Sequence, residues 1–129
     1  MVENVKLSEV TLTVCTTCRR EGVDPEAPRP GARLLDKLNG ADLPAGVAIQ
    51  GVECLSACGR GCAMVLSGGS ERWTYIYGDM DPNTHLEEIL DGLKAYTETT
   101  DGLVPWRQRP QSFRKQTIAR IPPIKRPEA

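Results

Sequence analysis

The sequence predicts an α/β (α+β) domain, a mixed sheet of four strands with two main helices packed on it, and an extended C-terminal arm. Three observations carry this reading. Element signals run in the order strand, loop, helix, strand, loop, hairpin, helix. Apolar residues make up 40% and charged residues 26% of the 129 positions, the usage of an ordinary packed domain, which excludes a disordered or fibrous chain. Charge also divides along the chain: residues 1–104 carry a net charge of -7 and residues 105–129 one of +6, although the total is only -1. An acidic domain over 1–104 and a basic, Pro/Arg-rich arm over 105–129 are therefore expected.

The first strand is Glu9 to Val14, where β-branched residues alternate in a strand-like way up to Cys15. Pro25, Pro28 and Pro30 then remove amide donors and make the stretch from Arg19 to Gly31 a loop. Leu34, Leu35 and Leu38 share one face of a short helix that starts near Pro30 and stops at Asn39-Gly40, residues that tolerate a left-handed helix end. Leu43-Pro44-Ala45-Gly46 breaks the chain before a second strand, Val47 to Val52, which leads into Cys54. Ala63 to Ser67 and Arg72 to Tyr77, separated by Gly68-Gly69-Ser70-Glu71, form a hairpin with Trp73, Tyr75 and Tyr77 on one face. Asp81-Pro82 reads as an N-cap and first-turn proline for a long amphipathic helix through Leu86, Ile89, Leu90 and Leu93. Beyond Leu103 periodicity is lost among prolines and arginines, hence the arm. No apolar run approaches the roughly 20 residues of a membrane helix, and MVENVKLSEV lacks the basic head and apolar stretch of an export signal, so a cytoplasmic protein without a membrane partner is expected.

In the reducing cytosol, five cysteines point to metal binding or redox chemistry rather than structural disulfides. Cys15-x2-Cys18 and Cys54-x3-Cys58 each follow a predicted strand, which would bring both pairs to one edge of the sheet. Four converging thiolates hold either a [2Fe-2S] cluster or tetrahedral zinc, because both demand soft, deprotonated sulfur. A zinc ribbon usually repeats its close pair after about 15 to 20 residues. Here 35 residues separate Cys18 from Cys54, including a helix and a strand, which favours a cluster on a folded sheet. A Cys-x-x-Cys dithiol oxidoreductase is the third reading. It needs a helix N-terminus at the first thiolate, and the prolines after Cys18 postpone helix by about a dozen positions, leaving the dipole nothing to act on.

CLSACGRGCAMVLSGG followed by RWTYIYGDMDP is similar to the second half of thioredoxin-like [2Fe-2S] ferredoxins, where Cys-x3-Cys precedes a hairpin and a C-terminal helix. More broadly, the chain resembles a small bacterial family of predicted metal-binding proteins of this type, including the ending PWRQRP, FRK and IARIPP. The resemblance implies a thioredoxin-like fold, a [2Fe-2S] cluster held by Cys15, Cys18, Cys54 and Cys58, and one-electron transfer; with no Ser-His-Asp set, phosphate loop or second histidine in the sequence, a self-contained enzyme is not expected. The alternative it leaves is a zinc-binding or metal-handling protein linked to cobalamin or metal homeostasis. Cys62 stands where the larger group often has proline; it is expected to open the hairpin strand and point away from the cluster, or to substitute for Cys58.

Gly59 and Gly61 would let backbone amides approach the sulfurs, and Arg19, Arg20 and Arg60 place positive charge near an anionic group. Surface arginine and turn glycine are the plainer roles. His85, the only histidine, is expected to cap or to face solvent rather than ligate, and the Trp73, Tyr75, Tyr77 stripe to pack the sheet. The expected partner is a redox protein. The arm would dock it through its arginines, Trp106 and Phe113, or would dimerise by exchange; nucleic acid is the lesser reading of its charge.

Overall fold

Alternation along the first strand decides how the sheet meets its helices. A computed structural model describes residues 10–16, 29–53, 55, 62–68 and 71–123. Strand β1 (Val10–Cys15) turns Val10, Leu12 and Val14 into the main core, so the two-residue pleat sends Thr11, Thr13 and Cys15 to the other face. Helix α1 (Pro30–Asn39) buries Leu34 and Leu38 in the same core. Each such leucine contributes about 1.5–3 kcal/mol by leaving water. The helix ends at Asn39 as expected, but Gly40 keeps φ at -93°, so the stop uses no left-handed residue: Gly40 N–H makes the last helical bond, to Asp36 O at 3.2 Å, and Ala41 N–H tightens to Leu38 O at 3.1 Å. The left-handed position is Gly46, φ +82°, in the turn that opens β2 (Val47–Val52).

Because β1 reaches β2 through the α1 crossover, the two strands lie parallel, with Val10 opposite Val47 and Cys15 opposite Val52. Strand β3 (Met64–Ser67) runs antiparallel to β1, pairing Met64 with Val14 and Leu66 with Leu12, and β4 (Thr74–Tyr77) completes the hairpin. Tyr75 and Tyr77 are buried with rings stacked 5.9 Å apart, the packing role expected of the aromatic stripe. Helix α2 (Leu86–Thr97) contributes Ile89, Leu93 and Tyr96 to the core.

Asp81-Pro82 does not begin α2. Asp81 Oδ1 accepts from the Asn83 N–H at 2.8 Å and Asp81 O from the His85 N–H at 2.9 Å, so Asp81 closes a turn of its own ahead of α2. His85 occupies the N-cap position, and its Nδ1 accepts from the Asp81 N–H at 2.8 Å.

The sheet has a fifth strand, drawn from the stretch that sequence alone reads as an arm. Trp106–Gln108 forms one 3-10 turn, α3 spans Gln111–Lys115, and β5 (Thr117–Ile121) pairs antiparallel with β4, giving the order β2-β1-β3-β4-β5. Phe113 is the anchor: its ring lies 4.4 Å from that of Tyr77 and presses on Gly92, where a Cβ would meet it at 2.2 Å. Phe113 is thus core, while Trp106 remains 57% exposed with the Arg109 and Arg114 guanidinium groups over its ring at 5.5 and 5.7 Å. Among the described residues, no helix is long and apolar enough to cross a membrane.

Candidate metal centre

Parallel pairing gives β1 and β2 a common C-terminal end. There the Cys15 N–H donates to Ala63 O at 3.1 Å, and the Thr16 N–H and Oγ1 both donate to Val52 O, at 2.8 and 3.1 Å. These bonds fix the backbone on both sides of the first cysteine. The Cys15 thiol is buried and donates to the Glu53 carbonyl, with Sγ to O 3.6 Å. Glu53 directly precedes Cys54 in the chain. Cys18, Cys54 and Cys58 themselves lie outside the described residues, as do Arg19, Arg20, Gly59, Arg60 and Gly61.

Cys62 lies across the sheet from that thiol. It packs in the main core with Met64, and its backbone exchanges two hydrogen bonds with Met80, Cys62 N–H to Met80 O at 3.3 Å and the reverse at 3.1 Å. Cys15 sits in a separate small cluster with Ala63 and Leu55. The pleat explains the division. Val14 and Met64 are cross-strand partners, so Cys62, two residues before Met64, shares the helix-covered face, whereas Cys15, one residue after Val14, faces away from it.

Sequence reasoning missed how close α1 comes to this end of the sheet. The helix does start only at Pro30, yet chain separation is not spatial separation: a Cβ on Gly31 would stand 1.9 Å from the Cys15 carbonyl oxygen and 3.0 Å from its carbon. The first turn of α1 therefore rests on the Cys15 peptide, at its carbonyl. Pro30-Gly31, a good helix opening with no side chain at its second position, was the available signal.

Two tyrosine hydroxyls and one carboxylate elsewhere in the described residues are shifted. Burial pushes the Tyr96 hydroxyl up to about 12 and raises Tyr77 further, so the aromatic cluster is neutral and apolar in character at ordinary pH. The Ser112 N–H, donating to Glu88 Oε1 at 2.9 Å, holds that carboxylate below its usual range and ties α3 to α2. Among the described residues, no three His, Cys, Asp or Glu side chains gather as a metal site.

A family model described as a protein of unknown function (DUF1636) matches residues 12–123. The chain belongs to the DUF1636 family. This DUF1636 fold is thioredoxin-like. It is similar to the crystal structure of the wild-type thioredoxin-like [2Fe-2S] ferredoxin from Aquifex aeolicus, with TM-score 0.53 and 20% identity over 85% of this chain and 96% of that one. A second structure of a thioredoxin-like [2Fe-2S] ferredoxin from Aquifex aeolicus aligns at TM-score 0.50 and 18% identity, covering 88% and 94% of the two chains. No curated protein matches the DUF1636 chain.

Proposed function

We propose that this protein carries electrons on a [2Fe-2S] cluster held by Cys15, Cys18, Cys54 and Cys58. The observation that carries the reading is the shared end of β1 and β2, where the Cys15 sulfur lies 3.6 Å from the carbonyl of the residue preceding Cys54. Strand pairing brings Cys15 beside Glu53, the chain neighbour of Cys54, which supports this reading.

The residues present suit such a group. Cys15 supplies soft sulfur at a buried position, and its neighbour Ala63 has a small side chain. The neighbouring ferredoxin folds support the cluster over zinc, and the separation of the two pairs by a helix and a strand agrees with them. A bound [2Fe-2S] group would take up and release one electron, with thiolate ligands and nearby N–H groups setting its potential. The chain's own contribution is to fix Cys15 between Ala63 O and the Glu53 carbonyl and to keep water from its sulfur. A redox protein is the partner this reading calls for.

The test is reduction of protein purified without oxygen. Stoichiometric dithionite should bleach a visible chromophore with one electron per chain and produce a low-spin paramagnetic signal, and Cys15→Ser should abolish both. A colourless wild-type protein that takes up no electron would overturn the proposal.

A further inference from the structure

Two backbones meet at the Cys15 peptide with no side chain between them, and Gly31 is the residue that permits it. A Cβ there would lie 1.9 Å from Cys15 O, 3.0 Å from Cys15 C and 3.3 Å from Thr16 Cα, all backbone atoms that cannot rotate aside. Any larger residue has to push α1 off the end of β1, or push Cys15 out of its bonds to Ala63 and Glu53. The φ at this position is not in the left-handed region. Close approach, rather than backbone freedom, is what makes glycine necessary.

Resting on the cluster reading above, we propose that Gly31 is a positioning residue for Cys15. By letting the first turn of α1 close on the Cys15 peptide, it fixes where this ligand's sulfur sits. Displacing α1 should therefore loosen the site and change the surroundings that set its potential.

The test compares Gly31→Ala with Gly92→Ala in the full chain. A Cβ at Gly92 meets the Phe113 ring at 2.2 Å, so Gly92→Ala perturbs the core between α2 and α3 without touching Cys15. Gly31→Ala is expected to shift the g-values of the reduced protein, move its reduction potential away from the wild-type value and release iron to a chelator about tenfold faster or more, the scale seen when the supports of a metal ligand are altered. Gly92→Ala should lower Tm while leaving g-values and potential at wild type. If Gly31→Ala does not fold, Gly51→Ala is the milder probe: its Cβ would press on Leu35 Cδ2 at 2.7 Å and Thr16 Cγ2 at 2.9 Å, displacing α1 from β2 by side chains that can yield. It should shift the same quantities in the same direction by less. Wild-type g-values, potential and iron release in whichever of these two variants folds would overturn the positioning role. Absence of iron from the wild-type protein would instead overturn the cluster reading, so the two failures are separable.

Discussion

Replacing Cys62 by serine separates a core cysteine from a ligand. Cys62 is fully buried in the apolar core, on the face of the sheet opposite Cys15. The substitution keeps the size nearly constant and exchanges a weakly polar thiol for a hydroxyl, whose desolvation costs about 1–3 kcal/mol. For a chain of this length that corresponds to a fall in Tm of roughly 4 to 12 °C. The visible spectrum, g-values and iron content should not change, because the side chain faces Met64 and the helices rather than the end of the sheet where Cys15 lies. Cys15→Ser should behave in the opposite way, losing the chromophore. The assay is a thermal melt paired with spectra of both variants purified without oxygen. Loss of colour in Cys62→Ser to the extent seen in Cys15→Ser would refute the division of faces and make Cys62 the substitute ligand.

Other outcomes follow from the packing. Phe113→Ala should cost about 3–5 kcal/mol in urea unfolding, since it empties the contact between Tyr77 and Gly92; a change under 1 kcal/mol would mean that α3 is not anchored as described. Alkaline unfolding should report Tyr96. Its hydroxyl donates to Trp73 O at 2.5 Å, and burial raises its pKa from 10.0 to about 12, so the stabilisation is fully present below pH 10 and is lost as pH rises toward 12. Tyr96→Phe should shrink the drop in Tm between those pH values, and an equal drop in the variant would remove Tyr96 as its source.

Much of the architecture was legible because short-range patterns and tertiary demands agree. Val47–Val52 is a strand in sequence and structure alike, bounded by the same breaker, and the Leu34–Leu38 face predicts where α1 packs. The meeting of β1 and β2 at one end was also readable, since a strand, a helix and a second strand favour a parallel crossover. What was hidden depends on distant partners. Gln111–Lys115 and Thr117–Ile121 are too short to display a period, and four of the five β5 residues are exposed, so only pairing with β4 and the burial of Phe113 reveal them. Removing residues 105–129 to probe docking therefore also removes an edge strand and a core ring. Asp81 was misread because its side chain can serve a turn as readily as a helix start. For the seat of α1 on Cys15 the sequence offers only the Pro30-Gly31 opening; the approach itself follows from the crossover geometry and the missing side chain at Gly31.

The central claim is most directly tested by the iron, acid-labile sulfide and zinc content of the wild-type chain isolated without oxygen. The account predicts two irons and two sulfides per chain with negligible zinc. One zinc per chain with no sulfide would contradict it.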